Sequence, residues 1–228
     1  MARRWLRFRG ASPSYEGGDH TPAAFGGVRK PDRVVAFSDA VFAIAVTLLV
    51  LEIRPPEDFR HLLRSLTELW PSYLAYVITF LLIGQIWVNH HVMFDQIRSV
   101  DRLVLLVNTL LLMDIAFLPF AASVLSDAFH SGGGQRSAVV FYGLVLEVAP
   151  IMFNIIWRHV RHVPSLLGAV DDASVRSITR RFRLALFWIG AGTVLGGLVP
   201  LLGVAVIAAF VPYYWLPIRG ETAGRRDR

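Results

Sequence analysis

Five stretches of the chain are too long and too poor in charge to sit on a water-facing surface. Residues 34–51 carry one formal charge, Asp39, and residues 73–88 carry none. Residues 103–126 carry only Asp114, residues 138–157 only Glu147, and residues 184–218 none over 35 positions. A helix rising about 1.5 Å per residue needs about 20 residues to cross a hydrocarbon core about 30 Å thick. Each of the first four blocks fits one crossing. The fifth is too long for one and long enough for two short ones, with Gly196-Gly197 and Pro200 as the natural break. The pattern predicts an all-α integral membrane protein with six transmembrane helices per subunit. The spans fall at about 33–53, 70–92, 101–127, 136–158, 181–198 and 200–218.

Composition removes the competing classes. Hydrophobic residues make up 54% of the chain and charged ones 18%, where a soluble domain carries about 25% charged. With a mean hydropathy of +0.51, an ordinary soluble enzyme is excluded. The absence of cysteine excludes a disulfide-stapled secreted fold. A net charge of +6 fits nucleic acid or a membrane surface equally well until the charges are located. Six spans put 19 of the 23 lysines and arginines on the side that holds both termini, leaving only Arg54, Arg60, Arg64 and Arg136 opposite. The positive-inside rule then predicts that both termini are cytoplasmic, and no nucleic acid is needed to explain the charge. Residues 1–30 open with Arg3, Arg4, Arg7 and Arg9 among aromatics and lack the apolar core of a signal peptide. They read as a solvated basic tail, or alternatively as a short anchor to anionic lipid. Residues 219–228 form a second basic tail.

A charge inside a span costs a few kcal/mol or more unless it is paired or wetted, so each is a functional candidate. Asp39 has Ser38 beside it and Arg33 six residues before it. Two readings stand: part of an ion pathway, or a buried polar network that fixes helix packing. The same span carries Ile44, Leu48 and Leu51 at i, i+4 and i+7, continued by Val41 and Phe37, with Thr47 adjacent. Asp39 lies about 140° around the helix from Ile44. Such a stripe is ordinary on any lipid-facing or core helix and gains meaning only if this span lines a central axis. His90 and His91 end the second span, and adjacent histidines point apart, which favours packing over a metal site. Asp114 and Glu147 lie mid-span with Pro119 and Pro150 downstream. They open an alternative function, a proton-coupled secondary transporter with broken-helix ion sites. Asn108 and Asn154 are candidates for hydrogen bonds between helices, and Gly192 and Gly196 form a GxxxG that predicts close packing. His159 and His162 read as solvated in a basic loop. No GxSxG, HExxH, phosphate-binding glycine loop or TVGYG filter is present, so no enzyme, metal or cofactor is expected.

The string Arg33-Val34-Val35-Ala36-Phe37-Ser38-Asp39, followed by the apolar residues 40–53, resembles the R-x-x-x-F-S-D first helix of the prokaryotic relatives of the endolysosomal potassium channel. Trp87, His90, His91 and Phe94 are similar to the end of that family's second helix. The span count extends the likeness over about residues 31–218. The resemblance implies a potassium-permeable cation channel of the cytoplasmic membrane, with no P-loop filter, in which span one of each subunit lines the pore. Ile44 falls on the family's hydrophobic constriction, and Leu48 and Leu51 on the next two pore-facing layers. Thr47 falls on a hydroxyl position linked to potassium preference. Arg33, Phe37, Ser38, Asp39, Trp87, His90 and His91 fall on a structural network that holds span one in place, which makes Asp39 a packing residue. The animal channel carries two six-span repeats per chain. A chain with one repeat is therefore expected to work as a homotetramer in the bilayer, without a soluble protein partner.

Overall fold

The computed structural model describes residues 30–56 and 58–215. The tails expected at 1–30 and 219–228 lie outside the described residues, except for Lys30. Helix α1 spans Asp32–Leu48 and continues as a 3-10 turn, Leu49–Glu52. Then follow α2 (Leu62–Glu68), α3 (Trp70–Phe94), α4 (Arg102–Ser131), α5 (Gln135–His162), α6 (Asp172–Leu198) and α7 (Pro200–Trp215). The residues before each helix explain several starts. Pro31 has a helical φ of −71°, and its carbonyl accepts from the Val34 and Val35 amides at 2.8 and 3.0 Å. Asp101 caps α4 through the Val104 amide at 3.0 Å. Asp171 caps α6 through the Ala173 and Ser174 amides. Gly132 and Gly134, both at φ 71°, form the tight turn between α4 and α5, a conformation that disfavours any Cβ.

The all-α architecture is as expected, with no β-strand among the described residues and an isolated bridge from Ile97 to Leu167. Four helices are long and apolar enough to cross a membrane: Asp32–Glu52, Trp70–Phe94, Arg102–Ser131 and Gln135–His162. The fifth and sixth expected spans differ in kind. Helix α6 begins at Asp172 rather than 181 and carries Arg176, Arg180, Arg181 and Arg183 in its first half, while α7 has only 16 residues. The break between them falls at Val199, whose φ of −131° and ψ of 100° are extended because Pro200 follows. Gly196 and Gly197 do not break the helix. Gly196 instead meets Gly203 of α7 so closely that a Cβ on Gly203 would collide with the Gly196 backbone, the contact expected of a GxxxG face. Helix α2 lies in the loop after the first span and was not foreshadowed by any apolar block.

Helix α4 is the centre of the packing, touching α1, α3 and α5, and the chain then stacks α6 on α5 and α7 on α6. Polar bonds tie most of these pairs. Ser72 meets Ser126 at 2.8 Å, Thr79 meets Tyr142 at 2.8 Å, and Trp157 Nε1 donates to Thr179 at 2.9 Å. Asn154 donates to the Phe182 carbonyl at 3.0 Å, and Trp188 Nε1 to the Val206 carbonyl at 2.7 Å. At the arginine-rich end the α3–α4 and α5–α6 loops are laced together. Arg98 N donates to the Leu166 carbonyl and Gly168 N to the Gln96 carbonyl, each at 2.8 Å.

That end also corrects the reading of His159. Helix α5 runs on to His162, so His159 is not in a loop, and its Nε2 lies 2.7 Å from Asp101 Oδ2. Its neighbour His162 is exposed, with Nδ1 2.6 Å from the Arg158 carbonyl. Burial acts to raise the Asp101 carboxyl, but the Val104 amide and His159 outweigh it and hold the group below its ordinary 3.8. A carboxylate depressed in the folded state stabilises the fold above its unfolded value, and that contribution is lost as the pH falls through the depressed value. Asp101→Ala should lower thermal stability in detergent by about 1–2 kcal/mol at neutral pH, chiefly through the lost cap. Asp101→Asn should keep most of the cap and flatten the acid limb of the melting temperature against pH.

Candidate functional site

Helix α1 has two unlike faces. Ser38, Phe42, Ala45 and Leu49, spaced by four, three and four residues, are buried against the rest of the subunit. Turned away from them are Ile44, Leu48 and Leu51, which are 59%, 42% and 72% exposed, and Phe37. Of the four long apolar helices, α1 is the least covered, with 22% of its apolar window buried against 39–50% in the others. Thr47 is exposed beside the stripe, and its hydroxyl donates to the Ile44 carbonyl at 2.8 Å, so its oxygen is left outward as an acceptor. The 3-10 turn changes the register of the stripe. With three residues per turn, Leu51 stands directly over Leu48, whereas α winding would carry it about 60° around the axis. The three aliphatic side chains therefore line up better than their sequence spacing alone provides.

The buried face is fixed by a directional chain of hydrogen bonds across three helices. His90 Nε2 on α3 donates to Asn108 Oδ1 on α4 at 3.0 Å. Asn108 Nδ2 donates to Ser38 Oγ at 3.0 Å, and the Ser38 hydroxyl donates to the Val34 carbonyl at 2.8 Å. Ser38 and His90 have no solvent exposure. The His90 ring lies edge-on to Phe42 at 5.5 Å and stacks on Phe94 at 4.3 Å. On the adjacent side of α1, Trp87 Nε1 donates to Asp39 Oδ1 at 2.8 Å.

Among the sequence candidates, the structure thus brings Ser38, Asp39, Trp87 and His90 together. Arg33 and Phe37 lie on the outside of α1, and Arg33 makes no hydrogen bond or ion pair with a described residue. His91 points outward, 5.9 Å from the Trp87 ring and 4.0 Å from Asp95, so the two adjacent histidines do diverge. Asn108 is the junction of the network. Sequence reading marked it only as a possible helix linker, because nothing in one helix says which neighbours its amide meets. Asp114 on α4 and Glu147 on α5 each leave one carboxylate oxygen without a partner among the described residues, and they are not bonded to each other.

The sequence model of the family described as the endosomal/lysosomal potassium channel TMEM175 matches residues 33–119, the stretch that contains every residue of this site. A potassium channel of Streptomyces collinus is 39% identical over 155 residues, covering 67% of this chain and 75% of that protein. A potassium channel of Chamaesiphon minutus is 40% identical over 156 residues, covering 66% of this chain and 76% of that protein. The crystal structure of a lysosomal potassium-selective channel TMEM175 homologue from Chamaesiphon minutus superposes with a TM-score of 0.73. It shares 35% identity and covers 80% of this chain and 95% of that one.

The geometry ranks two substitutions. Asn108→Leu strands the His90 Nε2–H and removes the donor to Ser38. Each buried polar group left unpaired costs about 1–3 kcal/mol, so the melting temperature in detergent should fall markedly. Ser38→Ala leaves only one Asn108 N–H unpaired and should fall less. An equal loss for both variants would show that the chain of bonds does not run through Asn108.

Proposed function

The chain belongs to the TMEM175 potassium channel family, and we propose that it is a potassium-permeable cation channel conducting passively through an axis lined by α1. The observation that carries this reading is the division of α1 into a face tied to α3 and α4 and an untied face of Ile44, Leu48 and Leu51. A pore helix needs both, since it must be held by its own subunit while presenting side chains to an axis. Four copies related by closed cyclic symmetry would complete that axis. Ile44, Leu48 and Leu51 would then form successive aliphatic rings, which gate by excluding water. Such rings offer no carbonyl ligands in place of hydration. Potassium is favoured over sodium because it is cheaper to strip of water, which makes modest selectivity the expectation. Thr47 adds an outward hydroxyl oxygen next to the rings.

The six-span topology with cytoplasmic ends belongs to the same proposal. The apolar part of α6 and the 16 residues of α7 are each shorter than the roughly 20 of a full crossing. Arginines at the start of α6 extend its reach by snorkelling to the interface. Asp39 acts in packing, through Trp87, as the family resemblance implies. The transporter alternative draws no support from Asp114 and Glu147, which lie on separate helices without a shared ligand geometry.

Purified protein in liposomes should pass potassium down its gradient, and Ile44→Asn should raise the flux or lower the potassium-to-sodium ratio by several-fold. Flux that is saturable and driven by a pH gradient would instead restore the transporter. Because the chain has no cysteine, Leu51→Cys supplies a single reporter. Oxidation should cross-link it into dimers in the membrane, and a purely monomeric product would argue against a shared axis.

A further inference from the structure

A second polar site lies away from α1, on the opposite side of α3. Gln85 is 2% exposed, and neither its Oε1 nor its Nε2 has a partner among the described residues. Its side chain lines a cavity of about 30 Å³ between α3, α5, α6 and α7, together with Asn89, Leu146, Pro150, Phe153 and Phe182. Pro150 has no amide hydrogen, so the Leu146 carbonyl one turn earlier lacks its helical donor. The Pro150 carbonyl, by contrast, is taken by Asn154 Nδ2 at 2.8 Å. One cavity is thus lined both by an amide with neither polar atom partnered among the described residues and by Leu146, the residue whose carbonyl loses its helical donor to Pro150.

We propose that this cavity is a hydration site, in which one or two buried water molecules bridge the Gln85 amide to the Leu146 carbonyl. A cavity of about 10–15 Å³ suffices for one water, which needs two to four polar partners, and both conditions are met. Water also fits better than other occupants. An apolar molecule would leave the amide as unpaired as before. A cation would find no carboxylate among the lining residues to offset its lost hydration. The site explains how a proline is carried inside α5 in a membrane helix, since bound water can satisfy the backbone group that proline releases. The inference does not depend on the pore assignment.

Radiolytic hydroxyl labelling of the full chain in detergent, with oxygen-18 water, tests it directly. Water bound inside a protein generates radicals in place, so Phe153 and Leu82, 2% and 3% exposed, should be oxidised despite their burial. Ile115 and Leu111, both 0% exposed and away from the cavity, serve as dry controls, and the exposed Phe59 as a wet one. Labelling of Phe153 at least several-fold above the dry controls is the expected result, and it should fall to their level in Gln85→Leu while Phe59 is unchanged. Wild-type labelling no higher than at Ile115 and Leu111 would overturn the proposal even if the variant does not fold. Equal labelling of Phe153 in wild type and Gln85→Leu would overturn it as well.

Discussion

Inside a bilayer, apolar side chains gain nothing by leaving lipid for one another, so helices are held by close packing and by hydrogen bonds between helices. That constraint organises this subunit. Serine meets serine between α3 and α4, threonine meets tyrosine between α3 and α5, and tryptophan indoles reach across from α5 to α6 and from α6 to α7. Where α6 and α7 must run closest, glycine on both sides removes the side chains altogether.

Helix α1 uses the same devices asymmetrically. Ser38 fastens it to α4 and Asp39 fastens it to α3, both in its first half. Beyond them its contact with the subunit is apolar, through Phe42, Ala45 and Leu49. The helix is therefore anchored near one end and only packed near the other. An acidic residue in a span is commonly a mark of ion chemistry. Here the indole of Trp87 binds one oxygen of Asp39 across to α3, on a side of the helix away from its exposed aliphatic stripe.

Much of this could be read from the sequence because a membrane crossing is written along one dimension. Length and hydropathy located the four long helices, and the i, i+4, i+7 rhythm found the stripe on α1. What stayed hidden depends on which helix faces which. The partners of Asn108 sit 70 residues before it and 18 residues before it, and no periodicity links them. His159 looked solvated because its partner Asp101 lies 58 residues away. The glycines at 196 and 197 looked like a break because flexibility and close approach use the same residue. Only the neighbouring helix distinguishes the two, and Pro200 made the break three residues later. The 3-10 winding at Leu49–Glu52 likewise left no trace in the apolar pattern.

That short turn has a mechanical meaning of its own. Exchanging its three-residue pitch for the 3.6-residue pitch of an α-helix would swing Leu51 through about 60° and shorten the segment by about 2 Å. Nothing below it would need to move, since Ser38 and Asp39 are fastened more than two turns away. The end of α1 is thus a screw thread at the tip of a clamped rod. The width of any ring made by Leu51 is then a matter of local winding, separable from the tilt of the helix that carries it.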